Sequence, residues 1–275
     1  MTVNVNPNKA LWEKGDFTKL AQGMRESGEA LVAQLGINKG VRVLDLGCGD
    51  GTTAIPAAQL GANVLGVDIA SNLVAAGNAR VKALNLNNIS FQEGDACELT
   101  DIKTGYYDHV VSIFGAMFAP RPLDVAKEMV RVTKLGGKIT MGNWIPNDPT
   151  LVAQILKISS SYTPAPPAGF ISPMLWGVEE EVTKRFEAAG IPARKISFAR
   201  DKYIFNFQVS PKELVSIFRM YYGPTMNAFD AATKDGKADQ LQSELEQLFE
   251  SQNTSKTTEH SYIPATFLRV TALKV

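Results

Sequence analysis

Three carboxylates and a glycine cluster carry the chemistry that can be read from this chain. Asp45 lies in the apolar run 41–46, just ahead of Gly47, Gly49 and Gly51 in the stretch VLDLGCGDG, residues 43–51. A strand running into glycines and then into a helix lets backbone approach a ligand closely, and the free N–H groups of the helix start favour a polar or anionic group. Asp68 ends a second apolar run, 23 residues after Asp45, where a carboxylate can accept both hydroxyls of a ribose. Asp95 and Ala96 follow a third run, where a carboxylate and an adjacent N–H can read an adenine edge. Neighbouring parallel strands end side by side, so all three acids are expected to face one crevice.

A dinucleotide-binding loop of the form G-x-G-x-x-G competes for the same residues. Counting from Gly47 and Gly49, its third glycine should fall at 52, where Thr52 stands; Gly51 comes one residue early. Asp45 would also meet a pyrophosphate with like charge, whereas it suits an ammonium or sulfonium group. A nicotinamide-dependent oxidoreductase is disfavoured on both counts.

The elements that must hold these residues alternate. Strand-like runs at 41–46, 63–68, 88–93, 107–114 and 138–143 are separated by helical patterns at 54–60, 72–86 and 123–133, after a first helix over 17–35. That rhythm predicts a parallel sheet with helices on both faces. Beyond Trp144 the character changes. Residues 162–176 (YTPAPPAGFISPMLW) hold four prolines and are read as a lid, since no regular helix or central strand tolerates them. Helix returns at 177–189. Two late strands, 195–207 and 263–275, flank a helical insert that opens on Ser210-Pro211-Lys212-Glu213, a capping box with proline at the first helical position. Gly223-Pro224 is expected to end that helix, and Leu241, Leu245, Leu248 and Phe249 mark another.

Among these features the chain resembles the class I S-adenosylmethionine-dependent methyltransferases. VLDLGCGDG is similar to their first motif, GVDIA (66–70) to the second and EGDA (93–96) to the third, while KLGGKI (134–139) resembles the loop and strand closing the core. The resemblance implies S-adenosyl-L-methionine as cofactor and S-adenosyl-L-homocysteine as product. It further implies backbone contacts to the methionyl part from Gly47 and Gly49, to the ribose from Asp68 and to the adenine from Asp95 and Ala96, with Asp45, Cys48 and Ile69 also among the cofactor contacts. Phe114-Gly115, after the fourth strand, resembles the ubiquinone/menaquinone C-methyltransferase-like branch called type 11, and Phe114 joins the expected cofactor contacts. The implied fold is α/β: a Rossmann-like, doubly wound, mostly parallel seven-stranded sheet with a reversed last strand and a helical cap. Residues 1–40 are expected as a helical segment over the cofactor site and 41–145 as the binding core. Residues 146–275 would complete the sheet, with the lid at 162–176 and the cap insert at 210–252.

The methyl acceptor should lie beside the segment SIFGAMFAP, 112–120, which lacks the Asn/Asp-Pro-Pro-aromatic signature of amide and nucleobase amine methylation. No Asp or Glu stands between Asp108 and Asp124, so no metal is expected. Met117, Phe118, Trp144 and Trp176 are the candidate substrate-binding residues, with Tyr162 nearby, and a closed aromatic pocket would orient the acceptor and exclude water. Of two histidines, His109 begins the fourth strand, remote from the crevice, and reads as structural. His260 and Tyr262, before the last strand, are the candidates for proton transfer. Arg121 and Arg200 read as solvated charges. The alternatives are unaided ionisation of the acceptor or help from a tyrosine.

Composition bounds these readings. The chain has 275 residues and 28 Lys+Arg against 28 Asp+Glu, a balance that disfavours a nucleic-acid partner. An apolar fraction of 45% excludes disorder throughout. Two cysteines are too few for a disulfide framework, and no apolar run reaches membrane-spanning length. The expectation is a cytoplasmic methyltransferase acting on a small, partly apolar O-, N- or C-acceptor, of open oligomeric state. The alternative is a non-catalytic S-adenosylmethionine-binding regulatory or interaction module.

Overall fold

A computed structural model describes Asn6 and residues 8–275; residues 1–5 and Pro7 of the expected N-terminal segment lie outside the described residues. Seven strands form one sheet: β1 (Arg42–Leu46), β2 (Asn63–Asp68), β3 (Ile89–Glu93), β4 (Tyr107–Ile113), β5 (Thr133–Trp144), β6 (Ile196–Phe207) and β7 (Ser261–Leu273). Their order is β3-β2-β1-β4-β5-β7-β6. The first five are parallel, and β7 runs antiparallel to both β5 and β6. The reversed strand is thus β7, inserted between β5 and β6.

The helices are α1 (Asn8–Lys14), α2 (Thr18–Ala21), α3 (Arg25–Gln34), α4 (Ala54–Gln59), α5 (Ser71–Ala83), α6 (Pro122–Val132), α7 (Leu151–Tyr162), α8 (Glu179–Ala188), α9 (Pro211–Tyr221), α10 (Gly223–Lys234) and α11 (Ala238–Gln252). Central strands β1 and β4 are buried on both faces, with Val43, Leu44, Val110 and Val111 fully enclosed, as a sheet covered by helices requires. No helix among the described residues is long and apolar enough to cross a membrane.

Several local expectations change. The helix over 17–35 is broken into α2, a 3-10 turn at Gln22–Met24 and α3. Gly23 lies against the Phe207 ring so closely that a side chain would overlap it. Gly223-Pro224 does not simply stop α9: the capping box of Ser210 and Glu213 forms as expected, and Pro224 opens α10, where its missing N–H costs nothing. Helix α7, ahead of the proline-rich stretch, has no counterpart in the expected elements; it buries Leu151, Val152 and Ile155.

The strand ends nearest the glycine cluster are pinned together. The Ser112 hydroxyl donates to the Leu46 carbonyl (2.6 Å) and accepts from the Ala116 N–H (2.9 Å). Phe114 turns the chain with φ +60°, a left-handed conformation unusual for a bulky residue. Its ring lies flat on Trp144, centroids 3.8 Å apart. The turn sets Gly115 backbone-to-backbone against Gly47, and a Cβ on Gly47 would fall 2.6 Å from the Gly115 Cα. Neither glycine can carry a side chain without moving a strand end. We expect Gly115→Ala to destabilise the fold by about 1–3 kcal/mol, through overpacking that backbone atoms cannot relieve. Thermal unfolding checks this; an unchanged Tm would show that the loops separate freely.

Candidate functional site

A cavity opens at the carboxyl ends of β1, β2, β3 and β4. Its walls include Asp45, Gly47, Cys48, Gly49, Asp50, Asp68, Ile69, Asp95, Ala96, Phe114 and Phe118, together with Asn6, Asn8, Trp12, Phe17, Met24 and Tyr203. The space between the walls, mouth included, is about 980 Å³, within the range that encloses a small organic ligand. All nine residues expected to contact a cofactor line this one cavity. Of the four expected acceptor contacts only Phe118 does.

The four lining acids are held differently. Asp68 is nearly enclosed; its Oδ2 accepts from the Gly49 N–H (2.8 Å) and its Oδ1 from the Ala70 N–H (2.9 Å). Burial raises its carboxyl, and those N–H groups oppose the rise. Asp95 accepts from the Cys97 N–H (2.8 Å) and from the Asn6 amide (3.1 Å). Asp50 is also buried, but Arg25 (3.0 Å) and Arg80 (3.4 Å) neutralise it from behind. Asp45 has no cationic partner among the described residues. Burial, then the charge of Asp68, pushes its carboxyl up to about 8, against a single hydrogen bond from the Ala54 N–H. Its Oδ2 is buried without a hydrogen-bond partner.

That unpartnered oxygen tests the fit of a ligand. A buried polar atom left unpaired costs free energy unless a ligand or water completes it. Among the described residues, no lysine, arginine or histidine lines the cavity, so the group that Asp45 calls for is a cation or a donor from outside the chain. S-Adenosylmethionine carries both an ammonium and a sulfonium, and its adenosine offers ribose hydroxyls and an amine to carboxylates, of which Asp68 and Asp95 line the same cavity. The residues present fit it.

The cover comes from an unexpected set of side chains. Helix α1 crosses the mouth: Asn8 donates to the Phe118 carbonyl, Lys9 pairs with Glu93, Glu13 accepts from Ser71, and Lys14 pairs with Asp230 of α10. Trp12 stands edge-on to Phe118 at 5.1 Å and to Phe17 at 6.0 Å. Sequence reasoning passed over Trp12, Phe17, Met24 and Tyr203; the one available signal was an aromatic pair in an otherwise polar N-terminal stretch.

Residues 162–176 line none of this cavity. The stretch runs over the surface until Pro173–Gly177, which tucks in because Gly177 sits against the Trp144 carbonyl, closer than any side chain would permit. Trp176 is therefore buried, with its ring 4.7 Å from the Arg185 guanidinium. Trp144 lies behind Phe114 and Met117 is in the core, both almost fully enclosed. Tyr162 bonds Glu244 at a separate surface hollow. His260 bonds Asn206 (2.6 Å), and neither it nor Tyr262 lines the cavity; Tyr262 is exposed. His109 is buried against Thr140 (2.9 Å), and burial pushes it down to about 3, so it stays neutral. Arg121 pairs with Asp124 at 2.8 Å on the surface.

Comparison with known proteins agrees with this geometry. Residues 43–137 match a family model described as a methyltransferase domain. The uncharacterized protein Rv1403c of Mycobacterium tuberculosis is 34% identical over 225 residues, covering 81% of this chain and 79% of that one. The demethylmenaquinone methyltransferase of Geobacillus kaustophilus is 35% identical over 112 residues, 40% of this chain and 47% of that enzyme. Among solved structures, the YcgJ protein of Bacillus subtilis shares the fold with a TM-score of 0.59 at 16% identity, over 90% of this chain and 98% of that one. Strand order, strand-end acids and relatives agree, and the chain belongs to the class I S-adenosylmethionine-dependent methyltransferases, in the type 11 branch.

Proposed function

We propose that this protein transfers a methyl group from S-adenosylmethionine to a small, partly apolar molecule by in-line displacement. The observation that carries this is one cavity with two kinds of wall: the strand-end acids Asp45, Asp68 and Asp95, none of them in an ion pair among the described residues, and the rings of Phe114, Phe118, Trp12 and Phe17. When bound, the cofactor supplies an electrophilic methyl group on a sulfonium.

The chain's own residues orient and enclose. Asp68 is aimed by two N–H groups and keeps further lone pairs for ribose hydroxyls; Asp95 and Ala96 take the adenine edge, with Ile69 beside the rings. Backbone at Gly47, Cys48 and Gly49 takes the methionyl part, with Asp45 on its ammonium. The aromatic end holds an acceptor against the methyl and excludes water, effects that together reach about 7–11 kcal/mol in favourable cases. Neither His260 nor Tyr262 serves as base in this reading; the acceptor reaches the site already nucleophilic. The described part of 1–40 acts as cover, 41–145 as the cofactor-binding core, and 146–275 as completion of the sheet. Two buried free thiols, Cys48 and Cys97, suit a reducing cytoplasmic setting.

The direct test incubates the protein with S-adenosylmethionine labelled at the methyl group and a metabolite extract. A labelled small, uncharged or weakly charged product is expected, and its identification names the substrate. Cofactor binding without any labelled product would favour a binding module instead.

Two further outcomes follow from the acids. Asp68→Ala should weaken S-adenosylhomocysteine binding by about 1–3 kcal/mol, as loss of a charged hydrogen bond does; unchanged calorimetric affinity would show that the carboxylate serves only the glycine loop. Asp45 without ligand holds its proton up to about 8, and an ammonium beside it favours the carboxylate. Binding at neutral pH therefore releases a proton. Affinity should rise with pH, by up to about tenfold per unit, and level off above the free-state value. Calorimetry in buffers of different ionisation enthalpy reads this directly, and Asp45→Asn should abolish the proton release.

A further inference from the structure

Tyr203 has no role in the reading above, yet it is the cavity's contact with the far edge of the sheet. It sits on β6, four places from β1 in the strand order. The carboxyl half of β6 is held against α3, where the Ser27 hydroxyl accepts from the Ile204 N–H (2.8 Å) and donates to its carbonyl (3.1 Å). The Asn206 amide donates to Glu26 (2.8 Å). Tyr203 is 1% exposed, with its ring edge-on to Phe114 at 5.0 Å and to Phe267 at 6.1 Å.

Its hydroxyl is brought to the exit of the glycine loop. Gly28 on α3 has no side chain, and a Cβ there would stand 2.7 Å from the Thr52 methyl and 3.2 Å from the Tyr203 hydroxyl. Thr52, Tyr203 and Asp45 all line the cavity, and Asp45 is near enough to act on the phenol through its charge. The hydroxyl does not satisfy Asp45, whose Oδ2 stays unpartnered. A donor and an acceptor therefore share one corner without bonding each other.

The methionyl group carries an acceptor and a donor of its own, an α-carboxylate and an α-ammonium. No lysine, arginine or histidine among the described residues lines the cavity to receive the carboxylate. Arg25 and Arg80 are turned to Asp50. A carboxylate entering this acid-lined end needs a neutral donor instead. We propose that the Tyr203 hydroxyl donates a hydrogen bond to the α-carboxylate of the cofactor while Asp45 receives the α-ammonium, so that Tyr203 is a positioning residue for the methionyl arm. The proposal rests on the methyltransferase reading. Burial and the neighbouring Asp45 push the phenol well above its ordinary value, so it remains a donor across the working range.

Tyr203→Phe keeps the ring and removes only the donor. The full chain and this variant are titrated by calorimetry with S-adenosylhomocysteine, with its decarboxylated analogue that keeps the amine, and with 5′-methylthioadenosine, which lacks the amino-acid end. The variant should bind S-adenosylhomocysteine about tenfold more weakly or worse, as for a hydrogen bond to a charged group, and the other two within about twofold of the parent. Equal losses on all three ligands would assign Tyr203 to packing, and no loss would place the carboxylate elsewhere; either overturns the proposal alone. Failure of the unaltered protein to bind S-adenosylhomocysteine would overturn the methyltransferase reading, and this inference with it.

Discussion

Everything at this site depends on how closely the ends of β1 and β4 approach. Gly47 and Gly115 meet backbone to backbone, and Ser112 ties both segments with hydrogen bonds on either side. Without side chains at the contact, the glycine loop lies against the end of β2, where the Gly47 and Cys48 N–H groups both donate to the Val67 carbonyl (2.8 and 3.2 Å). The next N–H, on Gly49, fixes the Asp68 carboxylate. The left-handed turn at Phe114 that makes the contact possible is costly in itself, and its stacking on Trp144 offsets part of that cost. Trp144 therefore shapes the cavity without touching it.

The charges are sorted by what neutralises them. Asp50 is matched by two arginines outside the cavity, Asp68 by backbone dipoles, and Asp95 by an amide and an N–H. Asp45 has only the Ala54 N–H, and burial, then the charge of Asp68, raises its carboxyl. A perturbed group in a cleft marks a functional site more reliably than a paired one. Burial rather than repulsion between the acids is the larger cause, and the one oxygen of Asp45 without a partner lies at the same residue.

The walls at the ends of β1, β2 and β3 were legible in the sequence because their determinants are local. A strand, a glycine turn and a strand-end acid are written within a few residues, and parallel pairing brings Asp45, Asp68 and Asp95 together without further information. The remaining walls of the cavity were not legible, because they are assembled from distant segments. Trp12 and Phe17 arrive from the N-terminus and Tyr203 from the opposite edge of the sheet. Trp176 read as a lid residue because prolines signal exposed irregular chain, but they say nothing about where such a chain ends. The close seat of Gly177 on Trp144 draws that end inward. Gly223-Pro224 shows the same ambiguity: a proline that cannot continue one helix is well placed to begin the next.

The cover has a different physical character from the floor. Helix α1 contains no fully buried residue, and most of its polar ties are partly exposed, including the pairs Lys9–Glu93 and Lys14–Asp230. Such pairs contribute little each. Trp12, packed edge-on against Phe118 and Phe17, supplies the larger apolar contact, and aromatic pairs of this kind add about 0.5–1.5 kcal/mol beyond area burial. A floor fixed by backbone overlap and a cover held by a few aromatic contacts divide the work of the site. The floor fixes the strand-end acids in place, whereas the cover, with few buried contacts of its own, contributes shape more than rigidity.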